Sequence, residues 1–381
     1  IEFDNYMSPG RKGHLVGIGG VSMSSLAEVL NGMGLNITGS DMNEANPNVV
    51  SLRGKGIEIF IGHRPENITE DVEFVVRTAA VHDDNPEIVR AHELGIPVME
   101  RAEAWGHLMR DYDNVVCLAG THGKTTSTSM MTLMTMEAQM DPTVMVGSNL
   151  PAIGGTLRIG GKGCFVAESC EYCNSFLRFA PTVAVILNVE EDHLDFFKDI
   201  NDIIHSFHEF AELTPMNGLV VVNGDDPHAM RSVAGINRKV RTFGTSATSD
   251  VYPTDVRDEN GYYRFTVMVE GKKYAKVALS VPGRHNMLNA LACCAAADRS
   301  KNRLIAHPER LHELVKQRLS AGICVRLEQT PQAVVRNFNR RRKSCLYLCR
   351  VVRIVVYYLP AVCSLSLDIK SALRTAEIFK G

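Results

Sequence analysis

From Val115 to Thr126 the chain reads Val-Val-Cys-Leu-Ala-Gly-Thr-His-Gly-Lys-Thr-Thr: an apolar run, a glycine-hinged turn, a lysine, two hydroxyls, then a helix-compatible stretch. A strand that enters a helix through a tight loop is the βα unit of a parallel sheet. The same segment dictates a chemistry. Glycines let backbone N–H groups face phosphate oxygens, the helix presents its positive end, Lys124 is placed to neutralise the β- and γ-phosphates, and the Thr125 hydroxyl to reach Mg²⁺. The general phosphate-loop spacing puts a glycine where Leu118 stands, so the loop is a shorter variant, Gly120-Thr121-His122-Gly123-Lys124-Thr125-Thr126. A glycine turn with an incidental lysine is the competing reading, and the complete strand, loop and helix context disfavours it.

At 381 residues the chain is long enough for two or three domains. With 45% hydrophobic residues, 22% charged residues and a net charge of −2, no general affinity for nucleic acid or membrane is expected. The ten cysteines are scattered, and the opening Ile1-Glu-Phe-Asp-Asn5 has neither the basic start nor the apolar core of a signal peptide, so a cytoplasmic location with free thiols is expected. Cys170-Glu-Tyr-Cys173 has CxxC spacing, but zinc needs a second ligand pair, and neither metal nor redox work is expected of it. Charge is unevenly spread. From Lys316 to Gly381 there are 13 Lys and Arg against 3 Asp and Glu, whereas residues 1–315 carry 28 against 40.

The first segment alternates a strand (His14–Ile18), a helix (Ser24–Leu30) and a second strand (Leu35–Thr38), the order of a parallel sheet. Strands at Phe74–Val76 and Ile96–Met99, with a helix over Asn85–Leu94 between them, complete a Rossmann-like first domain at 1–110. A second, P-loop domain at 111–315 continues through the apolar runs Cys164–Ala167, Val183–Leu187 and Gly218–Asn223, the pattern of strands buried on both faces. Tyr262–Val269 and Tyr274–Leu279, split by Glu270–Lys273, predict a hairpin, and Asn286–Asp298 a helix. Residues 316–381 form an atypical basic and apolar tail.

Gly17-Ile-Gly19-Gly20-Val-Ser22 follows the first strand, and Asp41 lies beyond the second. Glycines there admit a phosphate to a helix start and the acid can accept a ribose hydroxyl, although Ser22 replaces the third glycine. NAD, a UDP-sugar and a purely structural turn all remain compatible. Glu168 ends a buried strand beside the phosphate loop, where Mg²⁺ takes an oxygen ligand. Another strand ends in Asn188-Val-Glu-Glu-Asp192-His193-Leu-Asp195, which can supply ligands or simply a solvated face. His285-Asn286 and Asn289 bring two amides to one helix face, suited to an adenine edge, with capping by Asn286 as the plainer alternative.

In order and content these segments resemble the Mur ligase family, ATP-dependent amide-forming enzymes of peptidoglycan precursor synthesis. The loop 120–126, Glu168, the 188–195 segment and His285-Asn-Met-Leu-Asn-Ala carry the resemblance over roughly residues 10–300. Gly17-Ile-Gly-Gly-Val-Ser-Met-Ser24 and the run from Asp84 to Val98 are similar to the alanine-adding branch, as is His208, which stands where several sister ligases carry a carbamylated lysine. The resemblance implies that ATP phosphorylates the lactyl carboxylate of UDP-N-acetylmuramate and that L-alanine attacks the acyl phosphate. It assigns Lys124, Glu168 and His193 to catalysis, with Thr125, Glu168 and His193 on Mg²⁺. Residues 120–126 with His285, Asn286 and Asn289 would hold ATP, and Gly17, Gly19, Gly20 and Asp41 the UDP moiety.

The family's third domain is not recognisable. Arg340-Arg-Arg-Lys343 and an apolar stretch at Val351–Leu367 stand in its place, too interrupted for a membrane span. The abrupt charge change suggests a shifted reading frame and a chain that binds its ligands yet turns over little. An inactive UDP-sugar and ATP-binding remnant, or a ligase that recycles a tripeptide onto the same sugar, are the alternative readings. An NAD oxidoreductase would leave the phosphate loop without a task.

Overall fold

Short β-branched runs separated by amphipathic stretches give the first sheet its parallel form. The computed structural model describes residues 6–78 and 80–297, with the backbone of one further strand at 325–327, all within the unit Ile1–Glu328. Strands β1 (Lys12–Val16), β2 (Asn36–Asp41), β3 (Glu58–Ile61), β4 (Phe74–Arg77) and β5 (Val98–Glu100) lie in the order β3-β2-β1-β4-β5, all parallel. Helices α1 (Val21–Gly32), α2 (Pro47–Gly54), α3 (Pro86–Glu93) and α4 (Arg101–Met109) accompany them. The strand order reverses at β1, so the loop after β1 opens into the crevice where such sheets bind ligands.

The second sheet starts at β6 (Val115–Ala119) and continues through α5 (Lys124–Glu137), β7 (Thr143–Leu150), β8 (Gly155–Arg158), β9 (Phe165–Glu168) and β10 (Val183–Ile186). Next come α6 (Ile200–Glu212), β11 (Leu219–Asn223), α7 (Pro227–Ser232) and β12 (Val240–Phe243). An antiparallel extension, β13 (Val251–Glu259), β14 (Tyr262–Val269) and β15 (Lys272–Leu279), precedes α8 (Arg284–Ala297), and β16 (Val325–Leu327) pairs with β15. The strand order is β16-β15-β14-β13-β12-β11-β10-β6-β9-β7-β8, parallel from β13 to β7 and antiparallel beyond at both edges.

The alternation of β6 explains why it reads as an unbroken apolar run. Val115, Cys117 and Ala119 enter a core with Trp105, Phe176, Phe207 and Phe210, while Val116 and Leu118 enter another with Met130, Met131 and Leu291. With both faces covered, neither set of alternating positions tolerates a polar side chain. The expected four-residue hairpin loop tightens to Glu270-Gly271, both at positive φ (48° and 75°), which matches the twist of a two-residue hairpin turn. Strands β3, β7, β8, β12 and β13 and helices α2, α4, α6 and α7 add to the elements expected from sequence. Among the described residues no helix is long and apolar enough to cross a membrane. Beyond the backbone of β16, the basic and apolar tail lies outside the described residues, and with it the expectation of a shifted frame.

Helix α4 joins the two sheets. The Trp105 and Tyr112 rings meet Phe165 of β9 edge-on at 5.9 and 5.0 Å, and Gly106 lies directly against the Arg178 carbonyl. A mid-helix glycine weakens a helix by roughly 1 kcal/mol relative to alanine, so close approach is the reason for it here. Gly106→Ala would drive its Cβ into that carbonyl. The expected result is a loss of about 1–3 kcal/mol in urea unfolding despite the better helix propensity; unchanged or raised stability would refute the close-packing account.

A polar cluster is sealed into the first sheet. Glu87 is fully buried, accepts from Ser40 Oγ (2.6 Å) and Asn67 Nδ2 (2.5 Å), and faces His63 Nδ1 at 3.0 Å and His14 Nε2 at 3.7 Å. Burial alone would push its carboxyl up, but the His14 ring with the Ser40 and Asn67 donors outweighs this and holds it at about 2 against an ordinary 4.5. A carboxyl held below its unfolded value stabilises fully above pH 4.5, and that contribution is lost as pH falls toward 2. The shift corresponds to roughly 3 kcal/mol. Unfolding free energy should therefore drop across this window, and Glu87→Gln should flatten the drop; an equal drop in the variant would show that other groups cause it.

Candidate phosphate loop and cation cluster

The loop after β6 is shaped by two glycines that nothing larger could replace. Gly120 (φ 147°) sits where a Cβ would meet Leu187 Cβ at 2.9 Å, and at Gly123 (φ 84°) it would meet Asn289 Oδ1 at 2.8 Å. The end of β10 and the start of α8 thus close on the loop from two sides. Asn188 grips its middle, accepting from His122 N–H through Oδ1 (2.7 Å) and donating through Nδ2 to His122 O (2.9 Å). Thr121 is held by its N–H to Asn188 O (3.1 Å), and its hydroxyl accepts from Glu190 N–H (2.9 Å).

Helix α5 begins at Gly123 with no side chain capping its first N–H groups, and α1 begins the same way at Gly20. By contrast α2, α3, α6 and α7 are capped by Asn46, Asn85, Asp199 and Asp226. An uncapped glycine start leaves donors aligned with the positive end of the helix dipole, as anion binding requires.

Lys124 folds back over the loop. Its Nζ donates to Gly120 O (2.6 Å) and Thr121 O (3.1 Å) and contacts both oxygens of Glu171 at 3.2 and 3.0 Å. Thr125 Oγ1 donates to Glu168 Oε1 (2.9 Å), whose other oxygen accepts from Gly147 N–H (2.6 Å). His193 Nε2 lies 3.9 Å from Glu171 and 3.9 Å from Asp192, and ligand atoms of these three residues fall within 4.8 Å of one another. Two carboxylates and an imidazole make a donor set that a divalent cation can use. Tyr172 leans on the His193 ring at 4.7 Å and donates to Asp195 Oδ2 (3.0 Å), while His193 itself adopts a left-handed backbone (φ 52°).

Sequence reasoning paired His193 with Glu168; the geometry instead brings His193 to Glu171, while Glu168 holds Thr125. Glu171 is the residue that reasoning passed over, though its place three residues beyond the strand-ending Glu168 was a signal. Thr126 lies in the first turn of α5. Asn289 Nδ2 donates to Asn286 Oδ1 (3.1 Å), so the two amides do share one face. Asn286 is the third residue of α8 and donates to Pro282 O (2.7 Å) rather than capping the helix, and His285 is exposed with its ring over Gly283. His208 turns toward Ser232 O (3.0 Å) on α7.

In the first sheet, Gly17 (φ 79°) and Ile18 donate their N–H groups to Ser40 O at 2.9 Å each. Gly19 N–H donates to Asp41 Oδ2 (2.8 Å), and Gly19 O accepts from Asn46 (3.1 Å) and Asn48 (2.8 Å). Gly17, Gly19, Gly20 and Asp41 are thereby drawn into one turn, with the Asp41 carboxylate engaged by the loop backbone. The two asparagines extend the set read from sequence.

Comparison with known proteins bears on both halves. A model described as Mur ligase family, catalytic domain, matches residues 12–113, and one described as Mur ligase middle domain matches residues 118–297. UDP-N-acetylmuramate--L-alanine ligase of Agathobacter rectalis is 47% identical over 283 residues, covering 74% of this chain and 61% of that protein. The solved UDP-N-acetylmuramate-alanine ligase of Thermotoga maritima is similar with a TM-score of 0.65 at 31% identity, over 80% of this chain and 68% of that one. UDP-N-acetylmuramate:L-alanyl-gamma-D-glutamyl-meso-diaminopimelate ligase from Neisseria meningitides gives 0.70 at 25% identity, over 82% of this chain and 100% of that one. The chain spans about three fifths of the length of the curated relatives it matches. Two adjoining matches and a solved relative shared over more than two thirds of its length show that the chain belongs to the Mur ligase family.

Proposed function

We propose that this chain supplies the UDP-sugar and ATP sites for joining L-alanine to UDP-N-acetylmuramate through an acyl phosphate, in the cytoplasm, on domains spanning 1–110 and 111–315. The observation that carries the reading is the convergence of Lys124, Thr125, Glu168, Glu171 and His193 around one glycine loop. The alanine reading is supported by 47% identity to a relative of that name. The cytoplasmic reading is supported by the six free thiols among the described residues.

In this reading the loop N–H groups and Lys124 hold the β- and γ-phosphates, and Asn286 and Asn289 present amides to adenine, with His285 at the rim. Thr125 and Glu168, and Glu171 with Asp192 and His193, would hold Mg²⁺, which supplies charge neutralisation at the phosphates. The loop at Gly17, Gly19 and Gly20, with Asp41, takes the UDP moiety. Transfer then depends mainly on alignment and electrostatic stabilisation rather than on a protein nucleophile. A second reading, addition of a tripeptide to the same sugar, is supported by the likeness to the Neisseria ligase.

Phosphate release should require ATP, UDP-N-acetylmuramate and L-alanine together. Release with tripeptide but not L-alanine would select the second reading, and nucleotide binding with no release under either amine would leave a binding protein. Asn188→Ala removes both partners of the His122 peptide. Two lost hydrogen bonds predict roughly tenfold weaker binding of a non-hydrolysable ATP analogue by calorimetry. Unchanged affinity in a folded variant would show that Asn188 does not shape the nucleotide site.

A further inference from the structure

Cys170 and Cys173 flank Glu171, the carboxylate that closes on Lys124 and His193. They are also the two exposed thiols among the described residues, the other four cysteines there being buried.

The backbone between the pair favours a bridge. Glu171 takes right-handed turn geometry (φ −74°, ψ −21°) and leads into a short 3-10 segment that starts at Tyr172. A turn of that type brings its first and fourth Cα atoms within about 7 Å, and a disulfide spans about 4.4–6.8 Å. Cys173 and Asn174 follow at φ 54°, an uncommon conformation for residues with a Cβ, so the segment that would adjust is already held away from its own minimum.

We propose that Cys170 and Cys173 form a reversible disulfide that draws Glu171 away from Lys124. A hydroperoxide is the oxidant. One thiol takes up oxygen to give a sulfenic acid and releases water or an alcohol. The second thiol attacks that sulfur, the S–S bond forms and water leaves, so two thiols and one peroxide yield one disulfide. A dithiol reverses the bond by exchange. Closure must turn two outward-facing side chains toward each other across Glu171, and the 3.0 Å contact with Lys124 is the interaction at stake. This extends the nucleotide-site reading but does not need it for its first two readouts.

The test treats the full chain with hydrogen peroxide under native conditions and maps peptides without reduction. Expected are a Cys170–Cys173 linkage, severalfold faster acetylation of Lys124 by an N-hydroxysuccinimide ester, and reversal of both by dithiothreitol. Cys170→Ser and Cys173→Ser should each keep the slow Lys124 labelling in peroxide. Absence of the linkage, or a linkage that leaves Lys124 labelling unchanged, overturns the proposal. If the reduced protein binds an ATP analogue, oxidation should tighten that binding by about tenfold in magnesium-free buffer, where Lys124 has lost its competing carboxylate. If the reduced protein binds none, the nucleotide reading fails, and the linkage and labelling still decide the thiol proposal.

Discussion

The approach of two distant elements to one glycine loop governs the second sheet. Gly120 admits the end of β10 and Gly123 admits Asn289 of α8, and a methyl group at either position would force one of them away. Residues 166 positions apart in sequence meet in this way at the loop. For that to happen β10 must lie beside β6 and α8 must cover the same face as α5, as the register of the first and the shared core of the second provide. Close packing of this kind has little room to relax, so the shape of the loop is fixed by the sheet rather than by the loop's own residues.

Helix α4 places a similar demand on the junction between sheets. It follows the last strand of the first sheet, yet buries Trp105 against Phe165 of the second. Fully burying such a side chain contributes about 1.5–3 kcal/mol. The first sheet's loop is held by polar contacts instead, with Asp41, Asn46 and Asn48 all directed at Gly19. Hydrophobic contact secures the frame while hydrogen bonds set the conformation of the loops.

What was legible in the sequence follows the same division. The strands covered on both faces announced themselves as apolar runs, and β6, β10 and β11 lie within a residue of their expected bounds. Strand β2 was read short because Gly39 and Ser40 are poor strand formers. Gly39 is there because a Cβ would meet Leu15 O at 2.8 Å and Ile18 Cβ at 2.9 Å. Helix α4 was missed for a related reason, Gly106 interrupting its pattern to let Arg178 approach. Strands β7 and β8 have partly exposed faces and lose the alternation that would reveal them. At the site, residue types at strand ends were readable but pairings were not. Which of Glu168 and Glu171 faces His193 depends on a turn containing two left-handed residues, Cys173 and Asn174, and neither is a glycine that would betray it.

That turn gives Glu171 a place no linear motif describes. Its side chain is almost completely buried, 2% exposed, between an ammonium and an imidazole. A buried carboxylate must keep a positive partner or lose its charge, so it cannot simply be vacated. Under the proposed function Lys124 has two competing anions, the carboxylate and a nucleotide phosphate. Moving the lysine to the phosphate frees Glu171 for a cation shared with Asp192 and His193. Nucleotide and cation then favour each other's binding through one exchange of partners, a coupling that acts equally on both affinities. The thiols of Cys170 and Cys173 flank the one carboxylate on which that exchange turns.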